Sequence, residues 1–322
     1  MPLTDLTLAE LRDFRPEVAE PEDFDAFWAA TLEESRPLGA APVLAEARTP
    51  VTQLRVHDLT FPGFGGEPVR AWVTLPLTGG PFPTVVEYVG YGGGRGLPHE
   101  RLHWAAAGYA HILMDTRGQG SGWGSGGDTP DPHGSGPAAS GFMTRGIESP
   151  DDHYYRRVFT DAVRLVEAAR GLPFVDAGRI AVTGGSQGGG IALAVAGLVP
   201  GLAAVLPDVP FLCHFRRSVE LTPGDPFAEV ARYLAVHRGA VDRVFETLSY
   251  FDGVNFARRA TAPALFSVAL MDPVVLPSTV FTAFNHYAGP AEIAVYEFNG
   301  HEGGAGHHWL AQAEFLDGGA GR

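Results

Sequence analysis

"AVTGGSQGGG", residues 181–190, sets five glycines in the seven positions 184–190 around a single serine. A stretch like this can cradle a phosphate, bind a dinucleotide or hold a nucleophile. A phosphate loop needs a lysine after its glycines, G-x-x-x-x-G-K-[ST], and none follows here. The dinucleotide fingerprint G-x-G-x-x-G is met poorly by Gly185 and Gly188 to Gly190. That fingerprint also belongs to a first βα unit, and here several predicted strands come earlier. The remaining match is G-x-S-x-G, over Gly184, Ser186 and Gly188. In a chain of 322 residues with 42 glycines the pattern alone is weak. Its surroundings strengthen it, because "RIAV" (179–182) precedes it as a β-rich run and "GGIALAVAGL" (189–198) follows as a helical one. Strand, sharp turn, helix is the setting in which a serine hydroxyl is raised at the end of a sheet. The plainer alternative is a glycine-rich βα turn whose serine caps the helix.

Working outward, buried runs alternate with helical ones. "PEDFDAFWAATLEES" (21–35) predicts an amphipathic helix, and "LRVHDLTFPGFGGEPVRAWVTLP" (54–76) a β-hairpin around "GFGGE". "TVVEYVGY" (84–91) and "AHILMDT" (110–116) read as buried strands, with "HERLHWAAAGY" (99–109) as a helix between them. Residues 117–150 are rich in Gly, Ser, Pro and Asp and read as a long loop. From Asp152 the pattern is helical, with Val158, Ala162, Leu165, Val166 and Ala169 on one stripe. Strands follow at 202–210, 262–272 and 292–300, with helices at 277–288 and 306–316. Residues 211–260 interrupt the alternation and read as two or three helices. The expected fold class is α/β, with a mostly parallel central sheet and helices on both faces. One domain over 1–322 is expected, with an N-terminal helical extension at about 1–40 and a helical cap insertion at about 211–260.

Composition bounds the partners. The net charge of −14 argues against nucleic acid or an anionic membrane surface. A single cysteine, Cys213, excludes an intrachain disulfide and favours a reducing, cytoplasmic setting. The first residues lack a secretory-signal pattern, and no apolar run reaches a membrane span, so no membrane partner is expected.

A serine needs a base, and the base needs an orienting acid. On this kind of sheet they follow the serine in the order acid, then histidine. "ALFSVALMD" (264–272) ends in Asp272, and "IAVYEFNGH" (293–301) ends in His301, each just past a predicted strand. His214 and His237 fall in the insertion, His286 in a helix, and His307 and His308 in the closing helix. Ser186, Asp272 and His301 are therefore the candidate catalytic residues. Two N–H donors are needed for an oxyanion. Gln187, directly after the serine, and Tyr91 in "VGYGGGRG" (89–96) are the candidates. No closely spaced His/Cys/Asp set suggests a metal, and no cofactor is expected.

At this point the chain resembles the acetyl xylan esterase and cephalosporin-C deacetylase group, carbohydrate esterase family 7, of the α/β-hydrolase superfamily. The resemblance runs through "EDFDAFW", "YVGYGGG", "DTRGQG", "MTRGIESPDDHYYRRVFTDAVR", "GGSQGGG", "MDPVVLPSTVFTAFN" and "GHEGG". It implies Ser186, Asp272 and His301 as the triad, Tyr91 and Gln187 as the oxyanion donors, and no metal or cofactor. It also implies deacetylation of small acetylated xylo-oligosaccharides and of cephalosporin C, an intracellular location, and a homo-oligomer of hexameric form. One stretch departs from the family, Val274-Val275-Leu276, where a more polar run with a cysteine is expected. Trp123 and Phe211 are candidates to line an acyl or sugar pocket. Arg117 of "RGQG" is expected to anchor its loop against an acid such as Asp208, with pocket shaping by Arg117 and Gln119 as the alternative. Two other readings stay open: a general short-chain carboxylesterase or peptidase on the same scaffold, and a non-catalytic ligand-binding homologue.

Overall fold

The computed structural model describes residues 3, 5–134 and 136–318. The outermost positions of the expected 1–322 span, and the first of the 1–40 extension, lie outside the described residues. In chain order the elements are α1 (Leu8–Asp13), α2 (Phe24–Ser35), β1 (Val43–Glu46), β2 (Leu54–Pro62), β3 (Pro68–Pro76), β4 (Phe82–Tyr88), α3 (His103–Ala106) and β5 (Ala110–Met114). Then come α4 (Tyr154–Arg170), β6 (Val175–Gly185), α5 (Gln187–Leu198), β7 (Ala204–Asp208), α6 (Phe215–Leu221), α7 (Phe227–Val236), α8 (Val241–Ser249) and α9 (Gly253–Ala257). The last are β8 (Ala264–Ala269), α10 (Pro277–His286), β9 (Ala291–Tyr296) and α11 (Ala305–Leu316).

The strands form one nine-stranded sheet in the order β1-β2-β3-β5-β4-β6-β7-β8-β9. β1, β2 and β3 pair antiparallel, and β3 lies antiparallel to β5. From β5 to β9 every pairing is parallel. Side chains alternate across a strand, so neighbouring residues enter different cores. Val86, Val182, Val205 and Phe266 join the larger core with α2, α4, α5, α9 and α10. Val85, Ala181, Leu206 and Leu265 turn the other way, onto Trp104 of α3 and onto α11. Six consecutive parallel strands put their carboxyl ends along one edge, where ligands bind in open α/β sheets.

The hairpin, the long loop and the closing βαβα run lie where the sequence pattern puts them. Four differences have physical causes. β1 is exposed along its whole length, so it carries no burial alternation to read. α1 is short and is held by a capping box between Thr7 and Glu10. The helix expected over 99–109 shrinks to four residues. Glu100 is drawn away to accept from Leu97 N–H at 2.8 Å, and Arg101 is drawn to Glu87. Residues 211–260 hold four α-helices rather than two or three. Among the described residues no helix is long and apolar enough to cross a membrane.

Candidate active site

β6 ends at Gly185 and α5 begins at Gln187, so one residue makes the turn. That residue is Ser186, at φ 55° and ψ −117°, a strained conformation for a residue with a side chain. The strain is held from both sides. Ser186 N–H donates to Asp208 O at 2.9 Å, and Ser186 O accepts from Phe211 N–H at 2.9 Å. The glycines are answered by contact rather than by a phosphate. A Cβ on Gly184 would meet the Gly188 backbone at 2.4 Å, and one on Gly188 would lie 2.1 Å from Tyr88 O. A Cβ on Gly190 would lie 2.3 Å from Phe211 O. The helix can start directly under the sheet edge because these positions carry no side chain.

Two strands away, β8 ends and Asp272 follows, 1% exposed. Its Oδ1 accepts the N–H groups of Val274 and Val275 at 2.8 and 2.9 Å. Those bonds leave Oδ2 to face His301 Nδ1 at 2.8 Å. His301 sits in the loop after β9, and its Nε2 lies 3.0 Å from Ser186 Oγ. Serine, imidazole and carboxylate thus stand in line, with the acid buried and the ring open to solvent on one side. A carboxylate on Nδ1 fixes the tautomer that leaves Nε2 free to take a hydroxyl proton.

Beside the serine runs the loop after β4. Among the described residues, the N–H groups of Tyr91 and Gln187 donate to no protein acceptor. Unpaired donors are rare in a folded chain and fit a site where negative charge develops. Gln119 holds the two together from below. Its Oε1 accepts Gly92 N–H at 2.7 Å, and its Nε2 donates to Gln187 Oε1 at 2.9 Å. Gln187 Nε2 reaches Val89 O at 3.1 Å, and Tyr155 OH donates to Gln187 Oε1 at 2.9 Å. Burial pushes the phenols of Tyr154 and Tyr155 well up, so both remain donors.

Residues 1–318 match the protein family Acetyl xylan esterase (AXE1). The chain belongs to the acetyl xylan esterase family. It is similar to the solved acetyl xylan esterase of Paenibacillus sp. R4, at 38% identity and a TM-score of 0.92, covering 97% of this chain and 99% of that one. It is similar to acetyl xylan esterase 1 of Thermoanaerobacterium sp. JW/SL YS485, at 33% identity and a TM-score of 0.90, with the same coverage. It is 26% identical over 319 residues to the acetyl esterase Axe7A of Xylanibacter ruminicola, covering 89% of this chain. The chain spans 65% of the length of that curated relative. The family is one of carboxylic ester hydrolases on the α/β-hydrolase fold.

The remaining expected residues of this family member fall in three places. Trp123 is 48% exposed, and its Nε1 donates to Tyr91 O at 2.7 Å. Its ring lies over Gly93, where a Cβ would come within 2.4 Å of it. Phe211, the other candidate to line an acyl or sugar pocket, has no exposed surface. It packs against Phe227 at 4.3 Å between ring centroids and against Tyr91 at 6.2 Å, and its backbone ties the elbow. Arg117 pairs with Asp161, through Nε at 2.6 Å and Nη2 at 2.8 Å, and not with Asp208. Glu67 at 2.6 Å and Asp131 at 3.5 Å complete its surroundings. Asp208 accepts instead from Ser267 Oγ and lies 4.0 Å from His308 Nε2. Sequence reading missed Glu229, a buried carboxylate bonded to Tyr91. The available signal was an acidic residue between Phe227 and Val230 on the apolar stripe of α7.

Proposed function

We propose that this chain hydrolyses acetyl esters of small carbohydrate-like alcohols through an acyl-enzyme, with Ser186, His301 and Asp272 as the catalytic triad. The observation that carries the reading is the unbroken line from Ser186 Oγ to His301 Nε2 at 3.0 Å and from His301 Nδ1 to Asp272 Oδ2 at 2.8 Å.

The steps follow from that line. Ser186 Oγ attacks the acetyl carbonyl carbon as its proton passes to His301 Nε2. The carbonyl oxygen becomes an oxyanion and is met by the N–H groups of Tyr91 and Gln187. Asp272 keeps the ring oriented and stabilises the imidazolium without taking its proton. The intermediate collapses, the sugar oxygen takes the proton from His301 and leaves, and acetyl-Ser186 remains. Water then gives its proton to His301 and attacks the acetyl carbon. Acetate departs as the proton returns to Ser186 Oγ.

Membership of the acetyl xylan esterase family and similarity to solved acetyl xylan esterases support acetylated xylan sugars as the substrate class, and the resemblance extends this to small acetylated xylo-oligosaccharides and to cephalosporin C. The exposed face of Trp123 beside the oxyanion loop offers a platform for a sugar ring. A homo-oligomer of hexameric form and a cytoplasmic location belong to the same reading.

Acetate release tests it, measured from acetylated xylo-oligosaccharide, polymeric acetyl xylan and cephalosporin C with wild type and Ser186→Ala. Release from the small substrates, little from the polymer and none with the variant is the expected result. Cleavage of longer-chain esters only would overturn the substrate class. Activity of Ser186→Ala within tenfold of wild type would overturn the triad.

A further inference from the structure

Residues 90–94 read Gly-Tyr-Gly-Gly-Gly, so Tyr91 carries the one side chain by which this stretch of the oxyanion loop can be gripped. Its phenol donates to Glu229 Oε1 at 2.5 Å and accepts Phe142 N–H at 2.5 Å. Glu229 Oε2 accepts Met143 N–H at 2.9 Å. One carboxylate of α7 therefore joins three segments that are distant in sequence: α7 itself, the loop at 142–143 and the loop after β4.

The fit around it is tight. Glu229 is 3% exposed, and a Cβ on Gly141, at φ +117°, would lie 2.0 Å from its Oε1. Among the described residues it forms no ion pair, since Arg232, one turn on, is engaged by Asp225 at 2.7 Å. A carboxylate buried without a cation is costly unless its lone pairs are filled, and here a phenol and an N–H fill them. Burial pushes up both the carboxyl of Glu229 and the phenol of Tyr91, and the phenol is the donor of the bond between them.

We propose that Glu229 is a positioning residue for the oxyanion hole, fixing the Tyr91 N–H through the Tyr91 phenol. This rests on the reading of Tyr91 N–H as an oxyanion donor. Helix α7 thereby sets how well the tetrahedral intermediate is held, while it leaves the triad and ground-state binding alone. Glutamine at 229 turns its amide N–H either toward Met143 N–H, where no bond forms, or toward the phenol oxygen, and then the phenol O–H loses the carboxylate that accepts it. Phenylalanine at 91 keeps the backbone donor and removes the grip.

The test is a double-mutant cycle of Glu229→Gln and Tyr91→Phe, read with p-nitrophenyl acetate and with the rate of Ser186 phosphonylation by a fluorophosphonate, whose P–O oxygen occupies the oxyanion position. Each single variant is expected to lose at least tenfold in kcat with KM within threefold, and to react correspondingly more slowly with the fluorophosphonate. The double variant is expected to be no worse than the poorer single one. Both singles within threefold of wild type, or losses that multiply in the double, would overturn the proposal. Wild type that reacts with the fluorophosphonate but releases no acetate would overturn the substrate reading, and the phosphonylation rates would still decide the clamp. If Glu229→Gln does not fold, Tyr91→Phe decides: a phosphonylation rate within threefold of wild type overturns the clamp, and a tenfold loss supports it.

Discussion

Gln119 stands between the two expected oxyanion donors, its oxygen 2.7 Å from Gly92 N and its nitrogen 2.9 Å from Gln187 Oε1. It is 7% exposed, and its Nε2 also lies 3.1 Å from Tyr154 OH. Replacing it with alanine leaves Gly92 N–H without its acceptor and frees the Gln187 side chain. Removing an oxyanion donor outright costs about 10²–10³ in kcat, so loss of its support should cost less, roughly tenfold to a hundredfold. Gln119→Glu is the sharper variant. It still accepts from Gly92 N–H, but it turns a carboxylate oxygen toward Gln187 Oε1. Both variants are expected to lower kcat on an acetyl ester with little change in KM. A Gln119→Glu enzyme as fast as wild type would refute the bridging role.

Arg117 is 1% exposed and neutralises a cluster of acids. Asp161 and Asp131 have side chains 1% exposed, and Asp131 also pairs with Arg157 at 2.9 Å. Burial pushes the Asp161 carboxyl up, and Arg117 is the partner that opposes this. Removing one member of a buried ion pair costs about 3–5 kcal/mol, because the other charge stays behind. Arg117→Met is expected to lose stability on that scale in urea unfolding at neutral pH. Arg117→Lys keeps the charge but not the two-pronged contact with Asp161, and should lose less. If Arg117→Met unfolds within about 1 kcal/mol of wild type, the network does not carry stability.

Much of this was legible in the sequence, because the chemistry sits at strand ends. Ser186, Asp272 and His301 each follow a run apolar enough to be read as a buried strand, and strand order put their loops on one edge. The glycines at 184 and 188 were legible through the G-x-S-x-G spacing, and the Cβ distances of 2.4 and 2.1 Å give its steric reason. What failed was contact between segments that no local pattern links. Nothing near Arg117 favours Asp161 over Asp208, since the choice depends on how α4 lies against the loop. Phe211 looked available because it opens the helical insertion, yet the turn of chain that ties it to Ser186 O also buries its ring. Glu229 lies 138 residues from Tyr91, and only the packing of α7 over the long loop brings them together.

The start of α4 should respond to acid through a single histidine. His153 is its N-cap, with Nδ1 accepting Tyr155 N–H at 3.4 Å and Nε2 facing Met143 O at 3.2 Å. Its ring stacks on Phe251 at 4.6 Å, and it has no exposed surface. These bonds suit the neutral ring, because Nδ1 must accept. Burial pulls its pKa from 6.5 down to about 3. As the pH falls below 6.5 the unfolded chain binds this proton and the folded chain does not. The stability that His153 supplies is whole above that value and is lost as the pH falls toward 3, at about 1.4 kcal/mol per pH unit. His153→Asn keeps a capping oxygen but cannot titrate in this range. Urea unfolding at pH 7.5 and pH 5 should show wild type losing about 2 kcal/mol more than the variant over that interval. Equal losses in the two proteins would mean that His153 is protonated in the folded chain, and that its bond from Tyr155 N–H is not made in solution.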